Sequence, residues 1–214
     1  MTIMEKLGLL TDFEKTILDK ARIIFEKKGY YETSIEEIAQ SLSIGKGTIY
    51  RHFGNKLMLF FSVVLNIFED SKNVIEKIDA GAAFENKLDF FIDQMVKMTM
   101  VSGKFIRSFL EEHLFLLKDT YHHKNIEEPY GYYLKAREFF VLSLSGIIEQ
   151  GKKDGKIMGE VEPVMTAQLT IMAIFNYFKE SSFSVKKTKD ALSIETLKRY
   201  LYRAIGYNRF RSFQ

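Results

Sequence analysis

Apolar residues recur at helical spacing along the whole chain, and the pattern reads as helix throughout. Phe13, Ile17, Ala21, Ile24 and Phe25 form the first buried face, and Thr11-Asp-Phe-Glu14 ahead of it is a capping-box sequence. Gly29 is placed to end that helix in a left-handed cap. Ser34-Ile-Glu-Glu37 reads as a second capping box. It opens a helix with Ile35, Ile38, Ala39 and Leu42 inward. A break at Ser43 is followed by a short helix that turns Ile49 and Phe53 inward. Asn55 can cap the next helix, with Leu57, Phe60, Phe61, Val64 and Phe68 on its apolar side as far as Lys77.

Asp79-Ala-Gly81 is a break. Helical patterns resume from Ala83 to Val101 and from Lys104 to Lys118, and the polar stretch Asp119 to Glu128 reads as a loop. Pro129 suits the first turn of a long helix reaching Lys153. The segment GKKDGKIMGE is rich in turn residues, Pro163 begins another helix, SFSVKKTKD is polar and broken, and a last helix covers Ile194 to Tyr207. With only two prolines, long helices are unobstructed. The expected fold is therefore all-α. A helix-turn-helix domain over residues 1–55 is joined, through the helix that starts at Asn55, to a larger helical domain over 56–214. No flexible linker separates them, so motion in one could reach the other.

The chemistry concentrates in SIGKGTIYRHFGNK, Ser43 to Lys56, where the charges are Lys46, Arg51 and Lys56, all positive. A phosphate-binding glycine loop would follow a strand and end in Gly-Lys-Ser/Thr, whereas this stretch follows an amphipathic helix. A capped helix, a short turn and a second short helix fit a helix-turn-helix instead. Ala39 is small where the two helices must cross. The outer face of the second helix would carry Lys46, Gly47, Thr48, Tyr50, Arg51 and His52. Gly47 allows close backbone approach, and the Thr48 and Tyr50 hydroxyls suit phosphate oxygens or base edges.

The segment Tyr30 to Lys56, with Ala21, Phe25 and Gly29 upstream, resembles the DNA-binding domain of TetR-family transcriptional regulators, most specifically in Lys46-Gly-Thr-Ile-Tyr-x-x-Phe-x-x-Lys56. The resemblance implies a homodimeric repressor whose second part binds a small molecule and pairs subunits through its last two helices. It also implies that Thr33, Lys46, Thr48, Tyr50, His52 and Lys56 contact DNA, mostly its backbone, with Gly47 at the position of close approach. The chain departs from the family habit at three places. Ser43 stands where glycine is usual in the turn and must take a less comfortable backbone shape. Gly45 stands at the cap where Ser or Thr is frequent. Leu57 replaces a frequent acid at the start of the fourth helix. Arg51 lies where recognition varies and could read a guanine or grip a phosphate.

Rings are dense from Phe105 onward, and the chain holds 19 Phe, 11 Tyr and no Trp. Phe105, Phe109, Phe115, Tyr132, Tyr133, Phe140, Phe175 and Phe178 either pack a helical core or line an apolar cavity for an effector. Arg107, Glu111, Glu112, His113 and Arg137 are the charges that such a cavity could use. Met165, Leu169, Met172, Ala173, Leu197, Leu201 and Ile205 offer more apolar surface on the last two helices than a hairpin needs, which suits a two-fold partner.

The expected partners are therefore a palindromic double-stranded operator, a second copy of the chain and a small apolar or amphipathic effector. A dimeric protein-binding adaptor of the same fold is the alternative. The net charge of +3 adds little to the case for DNA. Glu112-His113 with His122-His123 lacks a metal-ligand signature, and no nucleophile elbow or dinucleotide fingerprint marks an enzyme. The expectation is no catalytic residue, no metal and no cofactor. The absence of cysteine fits a reducing compartment. No apolar run reaches the roughly 18 residues of a membrane span, and the first residues lack a secretory pattern. The expected location is the cytoplasm.

Overall fold

The structure, a computed structural model, describes residues 10–109, 124–183 and 194–207. Among them the chain is all-α, with eight helices: α1 (Asp12–Lys28), α2 (Ile35–Ser41), α3 (Lys46–Phe53), α4 (Lys56–Ile75), α5 (Phe84–Phe109), α6 (Lys124–Lys153), α7 (Pro163–Phe183) and α8 (Ile194–Ala204). The one β feature among these residues is an isolated bridge between Ile157 and Tyr207. The chain divides into two compact units, Met1–Asp70 with Lys104–Ala136 and Ser71–Gly103 with Arg137–Gln214. The sequence-based division between 55 and 56 coincides with the start of α4, but α4 runs unbroken across the division at 70/71.

The first unit opens with α1. Thr11 and Glu14 close the expected capping box: Glu14 N–H donates to Thr11 Oγ1 at 3.2 Å, and Thr11 N–H donates to Glu14 Oε2 at 3.0 Å. Ile17, Leu18, Ala21 and Phe25 of α1 are buried with Ile35, Ile38 and Ala39 of α2 and with Leu59, Phe60, Phe61, Val63 and Val64 of α4. Phe25 meets Phe60 edge-on at 5.0 Å, and Tyr30 meets the same Phe60 ring at 5.1 Å. Fully burying side chains of this size stabilises by about 1.5–3 kcal/mol each, so this cluster outweighs any single polar contact in the unit. Gly29 ends α1 at φ 86°, ψ 173°, a conformation only glycine adopts readily; the positive φ is as expected, but the extended ψ is not that of a left-handed helical cap. Ser34 caps α2 by accepting from Glu37 N–H at 3.0 Å. The second half of that box is replaced: Glu37 turns its carboxylate to Lys28, at 2.6 Å.

In the second unit, Phe84, Leu88, Phe91, Ile92 and Met95 of α5 are buried with Phe140, Leu144, Ile147 and Ile148 of α6, with Ala167, Ile171 and Ile174 of α7, and with Leu197 and Leu201 of α8. Glu162 receives the first N–H groups of α7, Val164 at 3.1 Å among them, so Pro163 opens that helix as expected. Two expectations change. The patterns read as separate helices on either side of Gly103 are one continuous α5, because a single mid-helix glycine costs only about 1 kcal/mol. Pro129 lies inside α6, which begins at Lys124, so Lys124–Glu128 is helical and not loop. The rest of the expected loop, the segment Ser184 to Asp190 and the last residues from Asn208 lie outside the described residues.

Gly151 of α6 lies against Phe84, and a Cβ there would stand 2.5 Å from a ring carbon of that fully buried phenylalanine. Gly151→Ala should lower the unfolding free energy by about 1–3 kcal/mol, read by thermal melting, because the added methyl would overlap a buried ring and force a shift in the packed core.

Candidate nucleic-acid interface

The turn between α2 and α3 is a Schellman motif with a serine in the glycine place. Ile44 N–H donates to Ala39 O at 3.0 Å and Ser43 N–H to Gln40 O at 3.0 Å, and Ser43 takes φ 55°. The strain expected of Ser43 is present, and Ser43 is the one non-glycine residue at positive φ among the described residues. Gly45 is the N-cap of α3 and supplies no side-chain cap; its carbonyl accepts from Thr48 N–H at 2.9 Å. Ile49 and Phe53 are buried at 1% and 6% exposure and fix the rotation of α3 about its axis. That rotation leaves Lys46, Gly47, Tyr50 and Arg51 exposed and Thr48 half-buried. No atom lies within 4 Å of where a Cβ on Gly47 would be, so the backbone there is open to close approach.

Three of the residues that the family resemblance assigned to DNA are turned inward. Thr33 is 2% exposed, and its hydroxyl donates to Gly29 O at 2.7 Å, which leaves no side-chain surface for a phosphate. His52 is half-buried; its Nδ1 lies 3.0 Å from Glu14 Oε1, and its ring meets Phe13 edge-on at 5.6 Å. Lys56 donates from Nζ to Thr33 O at 2.8 Å and to Tyr31 O at 3.3 Å and stands 4.5 Å over the Tyr30 ring. Burial holds its ammonium below the usual lysine range, against the pull of Glu32.

The sequence reading missed two acids that shape this surface. Glu14, identified only as a capping residue, also tethers α3 through His52, a pairing 38 residues apart that no local pattern encodes. Glu36 of α2 lies 3.0 Å from Lys46 Nζ. The hydrogen bond and charge of Glu36 raise the Lys46 ammonium pKa, and the same hydrogen bond lowers that of the Glu36 carboxyl. The pair is exposed and contributes little to stability. It sets a negative charge beside the cation at the head of α3.

The remaining candidates are scattered. Of the rings considered for a cavity, Phe140 is fully buried in the second unit, Phe175 is half-buried there, and Tyr132 belongs to the first unit. The Tyr132 hydroxyl donates to Glu69, and burial together with that carboxylate pushes its phenol pKa up. Arg137 is exposed. Phe115, Glu111, Glu112, His113, His122 and His123 lie outside the described residues, as do the side chains of Phe105, Arg107, Phe109, Tyr133 and Phe178. Among the described residues no three acids or histidines are grouped as metal ligands would be. On α7, Met165, Leu169 and Met172 are 61%, 59% and 48% exposed, with Ala173 half-buried beside them. Leu197, Leu201 and Ile205, expected to face a second copy, are instead buried within the chain itself: α8 packs against α7, and Ile205 follows directly after α8.

A capped two-turn helix, a tight turn and a second helix with a cationic outer face define a helix-turn-helix protein. Residues 17–63 match the family model described as bacterial regulatory proteins, tetR family. The chain is 27% identical over 100 residues, 44% of its length and 50% of the relative's, to the biofilm operon icaADBC HTH-type negative transcriptional regulator IcaR of Staphylococcus aureus. It is 28% identical over 83 residues, 39% of its length and 41% of the relative's, to the HTH-type transcriptional regulator UidR of Escherichia coli K12. The chain thus spans about half the length of the curated relatives it matches. Among solved structures, its fold is similar to that of the fatty acid degradation regulator FadR from Bacillus halodurans, with a TM-score of 0.64, 15% identity and coverage of 94% of this chain and 97% of that one. A TetR-family transcriptional regulator from a Rhodococcus species gives a TM-score of 0.67 at 14% identity, covering 91% and 97%. The match to the tetR family model lies over the helix-turn-helix part of the chain, residues 17–63, and the solved structures share its all-α fold.

Ser43→Gly should stabilise the protein by about 0.5–1 kcal/mol: relief of the left-handed strain, about 1–2 kcal/mol, exceeds the entropy cost of a glycine, about 0.5–1 kcal/mol. The check is a rise in melting temperature.

Proposed function

We propose that this protein is a sequence-specific DNA-binding transcriptional regulator, a cytoplasmic homodimeric repressor released from a palindromic operator by a small, largely apolar effector. The observation that carries the DNA part is the outer face of α3. Lys46, Gly47, Tyr50 and Arg51 are exposed together while Ile49 and Phe53 lock the helix from beneath. This face offers cations for phosphates, a phenol for a phosphate oxygen and a guanidinium for a base edge or a phosphate. The half-buried Thr48 adds a hydroxyl at the rim.

The dimer reading is supported by α7, where Met165, Leu169 and Met172 fall at i, i+4 and i+7 and present one exposed apolar face. Two α3 helices related by a two-fold axis would read two half-sites, which one short helix cannot. The effector reading is supported by the family and by the ring content of the chain. An effector must favour the form that does not hold DNA, or it shifts nothing, and DNA must then weaken effector binding by the same factor. The course of α4 through both compact units suits it to carry that shift. No described helix is long and apolar enough to cross a membrane.

Binding to a labelled duplex from the intergenic DNA adjoining the chain's own coding sequence is the test. Affinity should fall steeply with salt. Lys46→Ala with Tyr50→Phe should weaken binding across all sequences and flatten the salt slope by about 0.9 for each phosphate that the variant no longer neutralises. No binding at low salt would leave the adaptor reading standing. Leu169→Glu should yield monomers by sedimentation with little change in melting temperature, since the residue is 59% exposed within its own chain.

A further inference from the structure

The packing of α3 decides which of its residues points straight away from the core. Successive residues of an α-helix turn by about 100°, so Arg51 stands about 180° from the direction midway between Ile49 and Phe53, the two side chains buried beneath the helix. Gly47, one turn earlier, lies about 40° from Arg51, whereas Tyr50 and His52 flank it at about 100°. Burial agrees, with Gly47 and Arg51 exposed and His52 half-buried. This placement comes from the backbone and its two anchors and holds for every rotamer of the arginine.

Two further observations set Arg51 apart. Nothing lies within 4 Å of where a Cβ on Gly47 would be, so the crown of α3 is low one turn ahead of Arg51 and the helix can seat closely. Arg51 is then the one long side chain on that crown. The sequence of α3, KGTIYRHF, holds no acid, so nothing on the helix itself competes with DNA for the guanidinium. Among the described residues no other group pairs with it, whereas Lys46 has Glu36 at 3.0 Å.

The major groove of B-DNA, about 12 Å wide, admits one helix, with base edges on its floor and phosphates along its walls. A helix seated there with its anchors away from the DNA turns its crown to the floor and its flanks to the walls. Phosphates therefore fall to the flanks, Tyr50 among them, and a base edge falls to Arg51. Guanine presents two acceptors side by side in this groove, O6 and N7, and the planar guanidinium donates to both at once. Adenine has a donor, its N6 amino group, where guanine has O6, and would meet an arginine N–H with another N–H.

We propose that Arg51 is the specificity-determining residue of α3 and reads O6 and N7 of one guanine in each half-site. The inference rests on the DNA-binding reading above and names what that face reads.

The full chain is offered a pool of duplexes of random sequence, and the bound fraction is sequenced for the wild type, Arg51→Ala and Arg51→Met. Arg51→Met keeps the apolar stem and carries the test if Arg51→Ala melts below the binding temperature. The wild type should enrich a G·C pair at one position of each half-site. Both variants should lose the preference at that position and keep the rest of the motif. On the duplex that the wild type enriches, their affinity should fall by about tenfold or more, the worth of one bidentate base contact, with the salt slope unchanged. An unchanged motif with a salt slope shallower by about 0.9 would put Arg51 on a phosphate and overturn the proposal. Unchanged motif and unchanged affinity would take it off the DNA and overturn it too, and so would a preference lost at a base other than guanine. If the wild type binds no duplex at low salt, the DNA-binding reading falls as well. If it enriches a motif that both variants keep, that reading stands and only the role of Arg51 falls.

Discussion

The reading end depends on the burial of Ile49 and Phe53. Helix α3 has eight residues, and isolated helices shorter than about 12–15 residues are marginal in water. It begins at a glycine with no side-chain cap and ends at another. Its existence and its rotation are therefore set from outside, by two side chains sunk into the core that α1, α2 and α4 provide. Once they are buried, the positions of Lys46, Gly47, Tyr50 and Arg51 follow from helical geometry alone. The strained Ser43 is held by the same constraint: the turn must close to deliver Ile49, so the serine takes a conformation better suited to glycine.

Around that core, charge is divided between holding the unit together and facing outward. Lys28 is held by Glu37, His52 by Glu14, and Lys56 by carbonyls of the α1–α2 segment. Lys46 faces outward with Glu36 beside it, and Arg51 is exposed on the same helix. Fewer cations of the motif are thus without a partner in the structure than its sequence suggests, since Glu36 also pairs with Lys46. Such a surface would grip DNA less indiscriminately than one on which every cation of the motif faced outward, which places more weight on Tyr50 and Arg51 for discrimination.

What was legible in the sequence was what local chemistry decides. Thr11, Ser34 and Asn55 act as caps because each bonds to an amide within a few residues. The break at Ser43 and the inward turn of Ile49 and Phe53 follow from helical periodicity over short spans. What was not legible was direction across long separations. The motif gives the identities of His52 and Lys56, but their partners lie far off in sequence: Glu14 for His52, and the carbonyls of Tyr31 and Thr33 for Lys56. The same holds for Leu197, Leu201 and Ile205, which are buried within the chain itself. Where competing signals were weak, as at Gly103 and Pro129, one unfavourable residue did not outweigh the hydrogen-bonded ladder on both sides of it.

Amide hydrogen exchange of the full chain, with and without the duplex adjoining its own coding sequence, tests the central claim most directly. The account predicts slower exchange on DNA binding concentrated in residues 43–56. Unchanged exchange across α3, or protection confined to other helices of a chain that does bind the duplex, would contradict it.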